Sequence, residues 1–123
     1  VQGTVHNLVG RKDVDTVVTT GGTGVTPDDV TVEAAKRLFT KELPGFGELF
    51  RQQSYEEVGT MVVATRTTAG IANGTPVFCL PGSENAAKLG AELVAETAGH
   101  LSGLASRAED EDTHEHDGHD HEE

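Results

Sequence analysis

Residues 19–29 read TTGGTGVTPDD and combine residue types suited to holding an anion. Gly21, Gly22 and Gly24 carry no side chain, so successive backbone N–H groups can approach a bulky phosphate. Residues 31–39 are helix-like, and a helix N-terminus placed after such a loop adds a positive dipole end. Asp29 lies just beyond the glycines, where a carboxylate can hold magnesium against phosphate oxygens or simply stabilise the next helix. A second glycine loop, Pro81-Gly82-Ser83, follows the apolar run 75–80. The first loop is not a Walker A sequence, because no Lys follows Gly24, and it is not a G-x-G-x-x-G dinucleotide fingerprint.

The elements that must position these loops can be read from periodicity. Residues 14–20 and 75–80 predict buried strands, each running into one of the glycine loops. Residues 31–40 predict a helix with Val32, Ala35, Leu38 and Phe39 on its apolar face and Thr31 as N-cap. Leu43-Pro44-Gly45 breaks that pattern, and a short helix over 47–53 follows, with Phe46, Leu49 and Phe50 apolar. Residues 61–64 fit either a strand or a buried helical turn. Residues 68–74 read as a loop, with a tight turn at Asn73-Gly74. A long amphipathic helix over 84–104 turns Leu89, Leu93, Val94 and Leu101 inward. Near the start, Val1, Val5, Leu8 and Val9 share a helical face that Gly10 closes. That helix opens mid-pattern, without a cap or a Met, which predicts further sequence upstream of Val1. Strands alternating with helices predict an α/β sandwich with a mostly parallel sheet. Ligands of such sheets bind outside the carboxyl ends of the strands, where both glycine loops fall, so a two-part ligand site is expected.

Composition narrows the function classes. The chain has 123 residues, enough for one domain with a small core, and its formal charge is −12. Nine acids and no Lys or Arg fall in residues 109–123, whereas residues 1–108 hold twelve acids against nine bases. The mildly acidic body argues against sequence-independent nucleic-acid binding, which needs basic patches. The chain therefore divides into a domain over 1–108 and an acidic tail over 109–123, expected to be disordered because it has almost nothing to bury. His114, His116, His119 and His121 in the tail either bind nickel, copper or zinc loosely or belong to a solvated acidic segment. His6 and His100 stand on helices without companion ligands and read as surface or interface residues. Cys79, the single cysteine, excludes an internal disulfide and reads as a buried thiol. No secretory signal and no apolar run of membrane-spanning length occurs, so a soluble cytoplasmic protein is expected.

Three separated segments, TTGGTGVTPDDVTVEA, LPGFGELFRQQSYEEVGT and TRTTAGIANGTPVFCLPGS, occur in an order that resembles the MoaB/MogA family of molybdenum-cofactor biosynthesis, which includes the gephyrin G domain. The resemblance covers about residues 1–105, and the stretch Gly70 to Thr75 looks most like the MoaB branch. It implies a three-layer α/β fold assembled as a trimer or hexamer. It also implies magnesium-dependent transfer of AMP from ATP to molybdopterin, releasing pyrophosphate and passing the product to a MoeA-type protein. The alternative in the same pathway is a non-catalytic molybdopterin-binding scaffold or carrier. Carried over by resemblance, the nucleotide-phosphate loop falls on Thr20, Gly21, Gly22, Thr23 and Gly24, and the metal-holding catalytic acid on Asp29. Ser54 falls on the pterin side, and Leu80, Pro81, Gly82 and Ser83 line the molybdopterin site. Glu48 and Arg51 match a segment with a structural or interface role. Arg51 and Arg66 are expected either to pair with carboxylates at a subunit interface or to bind phosphate. A further acid of active members, with the first strand and helix of the family fold, would lie upstream of Val1.

Overall fold

The computed structural model describes residues 1–113. In chain order these form α1 (Gln2–Leu8), β1 (Val17–Thr20), α2 (Thr31–Lys36), β2 (Lys41–Glu42), α3 (Pro44–Val58), a 3-10 helix (Gly59–Ala64), β3 (Thr68–Ala72), β4 (Thr75–Leu80) and α4 (Glu84–Thr113). The four strands make one sheet in the order β1-β4-β3-β2.

Asn73 and Gly74 control the centre of this sheet. Both take positive φ, +50° and +78°, which a two-residue hairpin with the right strand twist requires. Ala72 therefore faces Thr75, and β3 and β4 run antiparallel. The segment expected to be a loop is thus a strand up to Ala72. Its sequence, Thr-Ala-Gly-Ile-Ala, is poor in β-branched residues, and the turn and its burial impose the extended form. The expectation of a mostly parallel sheet is corrected for the same reason. Among the described residues only β1 and β4 pair in parallel, Val17 opposite Val77 to Thr20 opposite Leu80, whereas β2–β3 and β3–β4 are antiparallel.

Alternation along β4 builds the three layers. Phe78 and Leu80 meet Phe46 and Phe50 of α3, Ala69 of β3 and Leu93 of α4 on one face. The Phe46 and Phe78 rings contact edge to face, with centroids 4.9 Å apart. Val77 points the other way, onto Val5, Val9, Val17 and Ala72, where Leu38 and Phe39 also pack. Leu89, Val94 and Leu101 of α4 lie inward as the periodicity requires. Cys79 is fully buried, and burial pushes its thiol pKa up.

Several boundaries differ from the sequence reading. The helix from Thr31 stops at Lys36 because the chain tightens at Leu38 and Phe39 and turns to lay Thr40 on Ile71 at the sheet edge. Thr31 is the first helical residue, not the cap. Residues 59–64 are a helical turn as one reading had it, yet Met61 and Val63 are exposed, not buried. The last helix runs to Thr113, five residues into the stretch read as tail, since no Gly or Pro interrupts residues 104–113. Residues 114–123, with the four tail histidines, lie outside the described residues.

Two helical glycines should respond to alanine with opposite sign. Gly99 faces open space on α4, so Gly99→Ala gains helix propensity and should stabilise the fold by about 1 kcal/mol. A Cβ at Gly47 of α3 would land on the Thr67 carbonyl oxygen, a backbone atom that cannot swing away, and 2.8 Å from Arg51 Nη2. Gly47→Ala should destabilise by about 1–3 kcal/mol. Urea denaturation of both variants checks the pair.

Candidate functional site

The two glycine loops meet at one rim of the sheet. They leave β1 and β4, the parallel pair, at the same level, since Thr20 lies opposite Leu80. The Gly21 amide then donates to the Leu80 carbonyl at 2.8 Å, carrying the pairing one step beyond the strands. A Cβ on Gly82 would stand 3.2 Å from the Gly21 Cα, so the loops are in contact. Gly21 and Gly22 take positive φ, +92° and +75°. A Cβ on Gly22 would collide with the Thr31 hydroxyl, which explains the glycine there on two counts.

The hydrogen bonds of the first loop are one-sided. Its carbonyls are taken from within the protein. Gly22 O accepts from the Thr31 amide at 3.1 Å, Thr23 O from the Arg66 amide at 2.9 Å, Gly24 O from Arg66 Nε at 2.7 Å and Asp29 O from Arg66 Nη2 at 2.8 Å. The amides of Gly22, Thr23 and Val25, by contrast, find no acceptor among the described residues, and that of Gly24 faces the Asp29 carboxylate. The glycines are partly exposed, Thr23 is buried, and residues 25–28 are exposed. Amides left without an acceptor beside a sheet rim, with most neighbouring carbonyls tied back, have the pattern of an anion cradle. The helix expected after the loop abuts it directly, through its first residue. α2 is only six residues long, and its first amide, that of Thr31, is bonded to Gly22 O.

Asp29 folds back on its own loop. Its Oδ2 accepts from the Thr26 hydroxyl at 2.8 Å and the Thr26 amide at 2.9 Å. The hydroxyl bond, aided by the amide, holds the carboxyl below the usual carboxylate range, so it is ionised at neutral pH. The carboxylate also sits 2.7 Å from where a Cβ of Gly24 would stand. Among the described residues no three His, Cys, Asp or Glu converge as a metal cage. A single ionised carboxylate beside open amides fits magnesium, which commonly takes one or two protein carboxylates and completes its shell with phosphate oxygens and water.

Ser54 and Ser83, from α3 and the second glycine loop, line one cavity of about 270 Å³, closed by Glu57, Asn85 and Leu89. Pro81 and Gly82 lead into it, Pro81 half-buried and Gly82 exposed. Asp29 lines neither this cavity nor a larger one of about 600 Å³ beside α3, where Glu48, Arg51 and Arg66 are found. Arg51 is a staple within the chain, its Nη1 donating to Thr65 O and Thr67 O at 3.0 and 3.1 Å. Arg66 pairs with Glu33 of the same chain. Sequence reasoning missed Glu33 and the anchoring of the loop by Arg66. The available signal was slight, a lone Arg in a stretch of threonines and an acid in the first turn of the helix after the loop.

Comparison with known proteins places the fold in a family. A family model described as "Probable molybdopterin binding domain" matches residues 2–100. The chain is 45% identical over 103 residues to a "Probable molybdopterin adenylyltransferase" of Methanocaldococcus jannaschii, covering 84% of this chain and 63% of that protein. It is 53% identical over 95 residues to a "Molybdopterin adenylyltransferase" of Pyrococcus furiosus, covering 74% and 56%. The chain thus spans a little over half the length of these curated relatives. Among solved structures, the tungsten cofactor synthesizing protein MoaB from Pyrococcus furiosus superposes with a TM-score of 0.71, at 53% identity over 75% of this chain and 59% of that one. A molybdenum cofactor biosynthesis protein B superposes with a TM-score of 0.80, at 41% identity over 86% and 67%. On the family model, the identities and the shared α/β fold together, this chain belongs to the MoaB/MogA family of molybdenum-cofactor biosynthesis proteins.

Proposed function

We propose that the chain carries the nucleotide-phosphate and pterin sides of a molybdopterin adenylyltransferase, which moves AMP from ATP to molybdopterin with magnesium. The observation that carries this reading is the set of amides at Gly22, Thr23 and Val25 left without an acceptor, in a loop that touches the one bearing Ser83. The amide loop, Thr20 to Gly24, would receive the phosphates of ATP, and the cavity shared by Ser54 and Ser83 would receive molybdopterin. Pro81 and Gly82 hold the two subsites against each other. The names of the two curated relatives favour the enzyme over a non-catalytic carrier.

The reaction asks little of a general base, because the attacking group is already a phosphate. An oxygen of the molybdopterin phosphate forms a bond to the α-phosphorus of ATP, and the bond from that phosphorus to the β-phosphate oxygen breaks, releasing pyrophosphate. The difficulty is bringing two anions together. Residues 21–33 add Asp28, Asp29 and Glu33 and no Lys or Arg, and the Arg66 charge is answered by Glu33. The open amides supply partial positive charge, and a magnesium ion, which Asp29 would hold, would neutralise more of the phosphate charge.

The finer parts of the reading are homo-oligomerisation as a trimer or hexamer, transfer of the product to a MoeA-type protein, and a cytoplasmic setting. The exposed Tyr55, Val58, Met61 and Val63 around the end of α3 support contact between copies. No helix among the described residues is long and apolar enough to cross a membrane.

The chain incubated with molybdopterin, ATP and magnesium should yield an AMP conjugate of molybdopterin and one pyrophosphate per conjugate, and chelation should stop it. Asp29→Asn should lower kcat by on the order of 10²-fold with an unchanged melting curve. An unchanged rate removes Asp29 from the mechanism. Because the Asp29 pKa is depressed, its contribution is complete from neutral pH down through the ordinary carboxylate range. It is lost only as pH falls through the lowered value, so the acid limb of kcat should lie below that range. Gly22→Ala meets both positive φ and the Thr31 hydroxyl, and should abolish ATP binding and destabilise by about 1–3 kcal/mol. Gly21→Ala meets only the φ strain and should be the milder change, as calorimetry with ATP can test.

A further inference from the structure

We propose that Arg66, held by Glu33, is the positioning residue that shapes the phosphate loop, acting through the loop and without touching the phosphate itself. The inference rests on the nucleotide-site reading above. Arg66 stands just before β3, whose antiparallel course brings its first residue, Thr68, level with Cys79 near the loop-bearing end of β4. From there it reaches three loop carbonyls. Its amide takes Thr23 O, its Nε takes Gly24 O at 2.7 Å, and its Nη2 takes Asp29 O at 2.8 Å. Nη1 and Nη2 also grip the two carboxylate oxygens of Glu33. Both partners are shifted toward their charged forms, Arg66 up and Glu33 down, chiefly by the hydrogen bond between them.

Two consequences follow from this geometry. First, four of the five guanidinium N–H donors are engaged by Gly24, Asp29 and Glu33, and its charge is met by the Glu33 carboxylate, so its chief role is to hold the loop. Second, each carbonyl shares a rigid peptide plane with the next amide, so Arg66, by holding the carbonyls of residues 23, 24 and 29, fixes the amide planes of Gly24, Val25 and Val30 and with them the course of the loop. The same grip on Asp29 O fixes the backbone that carries the Asp29 carboxylate. A lysine cannot substitute. Its ammonium is a compact point and cannot span acceptors on residues 24, 29 and 33 at once.

The test compares the parent chain with Arg66→Lys, Arg66→Ala and Glu33→Gln. Hydrogen exchange is read at the Thr26, Asp29 and Thr31 amides, which are bonded within the loop, and affinities for magnesium-ATP and for molybdopterin are measured separately. Arg66→Lys should speed exchange at those three amides and weaken ATP binding, each on the order of tenfold, with molybdopterin affinity and β4 exchange unchanged. Glu33→Gln should move both readouts the same way by less. Should Arg66→Ala fail to fold, the other two variants decide the matter. Unchanged loop exchange in Arg66→Lys overturns the proposal, and so does faster exchange with unchanged ATP affinity, which would make the residue merely structural. Equal loss of ATP and molybdopterin binding also overturns it. If the parent chain itself does not bind ATP, the nucleotide-site reading fails, while the exchange data still decide whether Arg66 holds the loop.

Discussion

The hydrogen bond from the Gly21 amide to the Leu80 carbonyl is the constraint on which the site depends. It extends the parallel pairing of β1 and β4 past the last paired residues, so two loops from distant parts of the chain leave the sheet side by side. Both must then be made of small residues, because Gly82 packs directly against the Gly21 backbone. Contact between the loops sets the free amides of one beside the other, whose Ser83 lines the cavity shared with Ser54. The site exists only as a product of this register, since neither loop alone offers both features.

The rest of the fold holds that register still. The two faces of β4 anchor separate cores, with Phe78 and Leu80 against α3 and α4, and Val77 against α1 and β1. The Asn73-Gly74 turn makes β3 antiparallel, so the chain enters the sheet on the loop-bearing side and Arg66 arrives next to Gly24 and Asp29. Arg51 steadies the same segment by holding Thr65 and Thr67, and Gly47 makes room for that approach. A sheet built in parallel, as the alternation of elements suggested, would have sent residue 66 to the opposite rim.

Electrostatics around the loop point in the same direction. The loop and the first turn of its following helix carry acids without bases, and the nearby Arg66 is neutralised by Glu33. Such a surface attracts a polyanion only through backbone dipoles and an added cation, which matches the single ionised carboxylate of Asp29. This separates the loop from phosphate sites that depend on a lysine, and accords with the lack of one after Gly24.

The sequence by itself determined the parts governed by local chemistry. The two glycine loops, the Asn73-Gly74 turn, the buried strand 75–80, the inward face of α4 and the three family segments were legible because each is a pattern within a few turns or a few residues. Only the tertiary structure decided which groups the loops meet. The extended form of residues 68–72 comes from a turn and a partner strand, not from its own weak β-propensity. Asp29 could be singled out as an acid, but its embrace of Thr26 depends on how the backbone closes. Arg66 finds Gly24, Asp29 and Glu33 across more than thirty residues of chain, a meeting set by strand order and direction, which no local pattern encodes.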